Sequence, residues 1–486
     1  MAEKNPAYVE PLEWAKEYLP IEEYAVLAAS LGQPLDLSIR INSLKADPAA
    51  AIAKWRTQYG WETEPIPFCP AGFRVRPGSN IPSATPEHRL GYFYIQEAAS
   101  MLPPELFDFP GIQNPLVLDM AASPGGKTTH LSALTGDRGL LIANDGSRSR
   151  IPALQVVLGN WGAINQAVTC LPGEAFGSLY PGTFDAVLID APCSMQGLRT
   201  AESHASRTIT LNEIEALAER QVRLLESALY ATKTGGQVVY STCTLAPQED
   251  ELVLATLLKR HANCFYIEDA HLPRPAPGMT EFNGEKLPEA MKHALRLWPH
   301  VLDTAGFFAA RLTKTGDMKA TTGGNWRLPP AADLPTRLPD REQRSLAGKL
   351  EARYGFDLDN LLVGQILEIG ILKGQYYLTP QSLRTQFNDL PILSAGMVLG
   401  KAMKDDIQIS HAFAARFGDR FSKGVLSIEE DHLPAWLRGE DLRKYPYASD
   451  SELGQIYAIR DTFGRNLGRG KLLKERLRNM LPTRLF

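Results

Sequence analysis

Pro115-Leu-Val-Leu-Asp119 is a short apolar run that passes through Met120-Ala-Ala-Ser-Pro-Gly-Gly126 into Lys127-Thr-Thr-His-Leu-Ser-Ala-Leu134. The run predicts a buried strand, the glycine-bearing stretch a tight turn, and the last segment a helix. The pattern recurs. Gly139-Leu-Leu-Ile-Ala-Asn-Asp145 and Phe184-Asp-Ala-Val-Leu-Ile-Asp190 are strands that close on an acid; Gly236-Gln-Val-Val-Tyr-Ser-Thr-Cys243 closes on a thiol. Between the last two, Ile214, Leu217, Ala218, Leu224, Leu225, Ala228 and Leu229 fall at helical spacing. Strands alternating with amphipathic helices predict a parallel, doubly wound α/β sheet. Ligands in such sheets bind beyond the carboxyl ends of the strands. Asp119, Asp145, Asp190 and Cys243 all lie at or just past those ends, so one pocket can collect them.

The turn itself, Ala121-Ala-Ser-Pro-Gly-Gly-Lys-Thr128, resembles a phosphate-binding loop only in part. That loop needs a glycine six residues before its lysine, where Ala121 stands, and a dinucleotide fingerprint needs G-x-G-x-x-G, which is absent. What remains is a strand-to-helix turn whose glycines let a ligand lie on the backbone, with an acid closing the next strand. A carboxylate there can accept from both hydroxyls of a ribose, which is the logic of an S-adenosylmethionine pocket. A purely structural turn is the competing account of the loop taken alone.

Working outward, the chain has 486 residues, enough for about three domains. With 44% hydrophobic and 22% charged residues the composition is that of a globular protein. No apolar run approaches a membrane span and the N-terminus lacks a signal-peptide core, so membrane and secreted classes are not expected. The five cysteines (Cys69, Cys170, Cys193, Cys243, Cys264) are widely spaced and without a CxxC pair. That pattern predicts single thiols in a reducing, cytoplasmic compartment and no metal. Residues 1 to about 30 read as helices broken at Pro20, followed by a small α+β unit with strands at Ser38–Asn42 and Phe73–Arg76. The expected divisions are residues 1–88 (an N-terminal RNA-binding unit), 89–313 (the α/β domain), 314–340 (a linker), 341–390 (an accessory piece) and 391–486.

Net charge is −4, so bulk charge does not announce nucleic acid. From Arg460 to Phe486, however, Arg460, Arg465, Arg469, Lys471, Lys474, Arg476, Arg478 and Arg484 outnumber Asp461 and Glu475. Such a cluster is able to neutralise phosphates, or it is a solvated helix face.

Two cysteines end strands of the same predicted sheet, in Asp190-Ala-Pro-Cys-Ser194 and Tyr240-Ser-Thr-Cys-Thr244. A lone buried cysteine is usually an inert small hydrophobe; a pair at strand ends beside an Asp points to chemistry. Carbon 5 of cytosine is a poor nucleophile. A thiolate adding to carbon 6 makes carbon 5 enamine-like, able to attack a sulfonium methyl. An acid on ring N3 stabilises the adduct, and loss of the carbon 5 proton with expulsion of the thiolate completes the exchange.

Taken in order, Arg40-Ile-Asn-Ser-Leu-Lys45, Tyr94-Ile-Gln-Glu-Ala-Ala-Ser-Met101, Asp119–Thr128, Ala143-Asn-Asp145, Asp190–Ser194 and Tyr240–Thr244 resemble the motifs of the Sun-type RNA 5-methylcytosine methyltransferases. The resemblance covers about residues 40 to 313 and is greatest to the branch that modifies 16S ribosomal RNA. It implies a Rossmann-like class I methyltransferase domain, a small N-terminal α+β domain, and a C-terminal PUA-like RNA-binding region from Gly396–Lys401 onward. By the same resemblance Cys243 attacks carbon 6, Cys193 assists release, Asp190 contacts the base, and Lys127 sits between base and cofactor. Ala121, Ala122, Ser123, Pro124, Gly125, Gly126 and Lys127 would wrap the methionine part of S-adenosylmethionine, with Asp145 on the ribose and Asp190 nearby. RNA, 16S ribosomal RNA or the small ribosomal subunit, is the implied partner of a monomeric enzyme. Transfer RNA as substrate, or a catalytically weak assembly factor, are the alternatives.

The chain departs from the family pattern in three places. Pro172 stands where an adenine-side Asp is usual, with Glu174 as a candidate substitute. Met195 replaces the Gly after Pro-Cys-Ser, and Thr200-Ala201-Glu202 replaces Arg-Lys-Asp, with Arg199 one place early.

Overall fold

The computed structural model describes residues 8–9, 12–78, 80–197, 209–270, 276–318, 326–331, 333–363, 366–403, 406–447, 449 and 451–482. Arg199 and Thr200–Glu202 lie outside them. The N-terminal unit has helix α1 (Ile21–Leu31), which starts directly after Pro20, where a fixed φ suits a helix entry. Upstream of that break, the helical spacing around Leu12 yields a single 3-10 turn, Glu13–Glu17. Next come strand β1 (Leu37–Ile41), helix α2 (Pro48–Tyr59), and strands β2 (Glu62–Ile66), β3 (Cys69–Arg76) and β4 (Phe93–Ile95). Asp47 caps α2 by accepting from the Ala50 amide, Pro48 occupies its first turn, and Gly60 ends it in the left-handed conformation. The four strands form one antiparallel sheet in the order β2-β3-β1-β4.

The central domain is built from β5 (Leu116–Asp119), α3 (Gly126–Leu134), β6 (Leu140–Asn144), α4 (Ile151–Trp161), β7 (Gln166–Thr169), β8 (Phe184–Asp190), α5 (Leu211–Ala231), β9 (Thr232–Thr242) and α6 (Glu251–Arg260). Its strands run β9-β8-β5-β6-β7, all parallel. Strand β10 (Phe307–Lys314) adds antiparallel to β9, and Phe265–Ile267 pairs with β10. The doubly wound sheet read from the sequence is therefore present, with its order reversing between β5 and β8. Helix α5 starts with a capping box, Thr210 and Glu213 each satisfying the other's backbone amide. It buries Ile214, Leu224, Leu225, Ala228 and Leu229 on the sheet.

Strand pairing draws the divisions differently from the sequence. Strand β4 belongs to the N-terminal sheet, which therefore runs past residue 88. At the far end of the linker, Thr336 and Arg337 pair with β11 (Leu367–Leu372), which pairs in turn with β12 (Gln375–Pro380). Strand β12 pairs with β14 (Met397–Ala402), and β14 with β15 (Ile407–Ile409), so one sheet crosses the expected boundary at 390/391. Between them β13 (Ile392–Ala395) adds antiparallel to β7 of the central sheet. Backbone amides on an open strand edge need partners, and here the C-terminal part of the chain supplies them.

The basic C-terminal segment is neither a tail nor a helix face. Residues Ile456–Asp461, Asn466–Leu473 and Arg476–Asn479 are β16, β17 and β18 of a second C-terminal sheet. Arg460 donates to the Gly418 carbonyl, Arg469 to the Ile409 carbonyl, and Arg465 is buried among acids. Lys474, Arg476 and Arg478 remain exposed, Arg476 within 3.1 Å of Asp441. No described helix is long and apolar enough to cross a membrane.

Candidate active site

Four of the five parallel strands of the central sheet each deliver one predicted group at or just past the tip. Asp119 ends β5 fully buried, and its Oδ2 accepts from the Thr128 hydroxyl at 2.7 Å while Oδ1 has no partner. Burial, helped by nearby Asp190, pushes its carboxyl up to about 7 against the pull of Thr128. In the turn that follows, Ala122 donates to the Asn144 carbonyl at 2.7 Å and Ser123 donates to Asp145 Oδ2 at 3.2 Å; Pro124 faces solvent. Gly125 has φ 117°, and a Cβ there would lie 2.9 Å from the Val157 side chain, so neither backbone nor space admits another residue. Gly126 opens α3.

Asp145, just past β6, is 2% exposed, with Oδ1 accepting from the Ser147 amide at 2.8 Å and Arg150 3.3 Å from Oδ2. A carboxylate has about four acceptor positions, so hydroxyl-accepting capacity remains. Beside it Asn144, which the sequence placed within a motif without a role, braces three strand tips. Its amide donates to the Met120 and Leu171 carbonyls, and its oxygen accepts from Leu171 and Thr169. Pro172 leads into the turn Gly173–Ala175, and Glu174 is 3.2 Å from Arg220 of α5.

Across the switch point, Lys127 Nζ donates to Asp190 Oδ2 at 2.6 Å and to Ser100 Oγ at 2.8 Å. Asp190 Oδ1 accepts from the Ser241 hydroxyl at 3.1 Å, and its side chain is one-third exposed. Directly beyond lie the two thiols, with Cys193 Sγ 3.2 Å from Cys243 Sγ. The hydrogen bond to Cys243, then burial, pushes the Cys193 thiol well above its usual range, so Cys193 holds its proton. Every catalytic residue read from the sequence is thus in one place.

The loops carrying the thiols touch through backbone. Gly197 donates to the Cys243 carbonyl at 3.1 Å, and a Cβ on it would lie 2.2 Å from the Gly306 carbonyl oxygen. Met195, the departure from Gly, has φ 59°. A left-handed residue with a Cβ costs roughly 1–2 kcal/mol, so Met195→Gly is expected to gain about 1 kcal/mol of stability, offset in part by glycine's greater chain entropy. Urea unfolding of the two proteins checks this; a loss of stability would refute it.

Arg40 is a second contributor that sequence reading placed only within a motif. Fully buried on β1, it donates to Gln96, to the Gly126 carbonyl at 2.9 Å and to Thr129 at 2.7 Å, with its guanidinium 4.6 Å from the Trp161 ring centroid. The N-terminal sheet thereby grips the first turn of α3. Nearby, Cys69, Glu105 and His130 bring three groups of metal-ligand type within 4.8 Å of one another, a convergence that linear spacing conceals. Burial keeps His130 neutral, down to about 4, and its Nε2 is 2.8 Å from Glu105.

Comparison with known proteins places this geometry. Residues 111–313 match the model of the 16S rRNA methyltransferase RsmB/F family, and residues 11–98 match the N-terminal domain of 16S rRNA methyltransferase RsmF. The Ribosomal RNA small subunit methyltransferase F of Aeromonas hydrophila is 34% identical over 96% of this chain and 94% of its own. The chain belongs to the RsmB/F family. The protein of the same name from Shewanella oneidensis is 31% identical over 100% of this chain and 98% of its own. Among solved structures, a methyltransferase homologue from Pyrococcus horikoshii has 32% identity and a TM-score of 0.54, covering 60% of this chain and 91% of that one. NSun6 from the same organism shares the fold at 22% identity and a TM-score of 0.53. The protein is an RNA methyltransferase, and S-adenosylmethionine is its cofactor. The site fits that group: buried Asp119, with one oxygen unpartnered among the described residues, and buried Asp145 stand at the ends of adjacent parallel strands and keep acceptor capacity for a polar ligand.

Proposed function

We propose that this RsmF-type protein methylates carbon 5 of a cytosine in 16S ribosomal RNA through a covalent bond from Cys243 to carbon 6. The 3.2 Å approach of two thiols beside the Lys127–Asp190 pair is the observation that carries the reading. When bound, S-adenosylmethionine supplies an electrophilic methyl group on its sulfonium. Cys243, as thiolate, adds to carbon 6, and Asp190, its geometry fixed by Lys127 and Ser241, meets the N3 and N4 edge of the base. Lys127 neutralises Asp190 between base and cofactor. After methylation, loss of the carbon 5 proton restores the double bond and returns the thiolate to Cys243, with Cys193 assisting that release. Residues 121–127 hold the methionine part and Asp145 the ribose. The N-terminal sheet and the C-terminal sheets, the latter in a PUA-like role, hold the RNA beside the central domain. Action on ribosomal RNA would place the protein in the cytoplasm, and a monomer suffices for this chemistry.

Transfer of labelled methyl to small-subunit RNA, mapped by bisulfite sequencing, tests the reading. Label in transfer RNA, or RNA binding without transfer, would replace it. Asp145→Ala is expected to weaken cofactor affinity at least tenfold, a charge-assisted hydrogen bond being worth ~1.5–3 kcal/mol. Calorimetry that finds affinity unchanged would remove Asp145 from the ribose.

A further inference from the structure

The thiol of Cys193 is held from beneath by a residue outside the motifs above. Glu249 lies between β9 and α6 with no exposed surface. Its Oε2 accepts from the Ser194 amide at 2.9 Å and from Gln221 Nε2 at 2.9 Å. Gln221, buried on α5, donates with the same nitrogen to the Pro192 carbonyl at 2.9 Å. The peptide groups on either side of Cys193 are therefore both tied to one carboxylate and its amide partner. The Glu249 backbone is fixed in turn, its carbonyl accepting from the Tyr240 hydroxyl at 2.5 Å. A third tie joins the two cysteine loops: Ser194 Oγ and Thr244 Oγ1 are 3.1 Å apart.

Burying a carboxylate costs several kcal/mol before its hydrogen bonds offset the loss. Glu249 bears that cost with one oxygen, Oε1, unpartnered among the described residues, and burial raises its own carboxyl above the usual range. A neutral acceptor would serve packing alone. The cost falls instead directly under the loop of the thiol that must reach the sulfur of Cys243, where a displacement of about 1 Å degrades a chemical step strongly.

We propose that Glu249, through Gln221, is the positioning residue that seats Cys193 against Cys243 and so governs release of methylated RNA rather than attack upon it. The proposal rests on the division of labour between the thiols given above. Cys243 lies just past the end of β9, whose pairing with β8 and β10 fixes it, so loss of the Pro192–Ser194 seat falls first on Cys193.

Glu249→Gln, in the full-length protein, tests this with RNA and S-adenosylmethionine. One charged acceptor lost predicts multiple-turnover methylation slower by about 10- to 100-fold. Single-turnover methyl transfer should stay within about threefold of the parent. A protein–RNA species resistant to denaturing electrophoresis should accumulate, as with Cys193→Ala. Gln221→Met, which removes only the tie to Pro192 and one bond to Glu249, should shift the same two readouts less far and serves where Glu249→Gln fails to fold. Unchanged turnover in both variants overturns the proposal. So does loss of adduct and methyl transfer together in a variant that binds RNA and unfolds like the parent, which is what a merely structural role produces. If Cys193→Ala itself accumulates no adduct, it is the reading of the two thiols that fails.

Discussion

Cys243→Ala is expected to abolish methyl transfer, a loss of roughly 10⁴-fold or more, while RNA and cofactor binding persist. Removing the nucleophile leaves no route to an enamine at carbon 5, so no covalent protein–RNA species forms. Cys193→Ala should fail differently. It still attacks and methylates, then stalls before elimination, so the covalent species accumulates in the presence of cofactor and disappears in the double variant. The two sulfurs lie 3.2 Å apart, within hydrogen-bond reach, and Cys193 keeps its proton, as an assisting rather than attacking thiol requires. Trapping by Cys243→Ala instead would exchange the roles. Absence of adduct from either variant, in protein that binds RNA and cofactor, would favour an RNA-binding assembly factor.

The parts of this site legible in the sequence are those whose chemistry and position coincide. Asp190, Cys193 and Cys243 are reactive types at the ends of apolar runs, and the fold brings strand ends together. Asn144 and Glu249 escaped because nothing in their local pattern separates them from a strand terminus and a helix approach. Their roles come from carbonyls and amides distant in sequence, such as Leu171 for Asn144 and Ser194 for Glu249. Arg40 shows the same limit. An arginine in an alternating strand reads as a solvent-facing residue, yet it is buried because α3 presents a carbonyl and a hydroxyl to it.

The C-terminal half was the least legible, for a related reason. Charge counting treats Arg460, Arg465 and Arg469 as free cations, but the fold brings each of them a carbonyl or carboxylate from a turn or another strand: Gly418 for Arg460, Asp461 for Arg465 and Ile409 for Arg469. Removing the chain from Arg460 onward would therefore delete β17, β18 and part of β16, and test stability rather than phosphate contact.

Arg465→Met is expected to destabilise the protein by about 3–5 kcal/mol, the cost of leaving buried partners of an ion pair uncompensated. Arg465 is 2.5 Å from Asp461 and 2.9 Å from Glu87, all three buried, and Glu87 also accepts from the Tyr59 hydroxyl at 2.7 Å. Glu87 and Tyr59 belong to the N-terminal unit, Asp461 and Arg465 to the C-terminal sheet. The cluster therefore fixes how the N-terminal unit and the C-terminal sheet sit on either side of one seam. The Asn466 amide donates to the Tyr92 hydroxyl across the same seam, and Lys54 donates to the Phe463 carbonyl. Removing one of the two stranded carboxylates with Glu87→Gln in the Arg465→Met background should recover part of the loss. Urea unfolding measures both. The catalytic centre stays outside the seam, so single-turnover methyl transfer at saturating RNA should survive where RNA affinity falls. A loss below about 1 kcal/mol would mean that water enters the seam and that the cluster does not orient the C-terminal sheet.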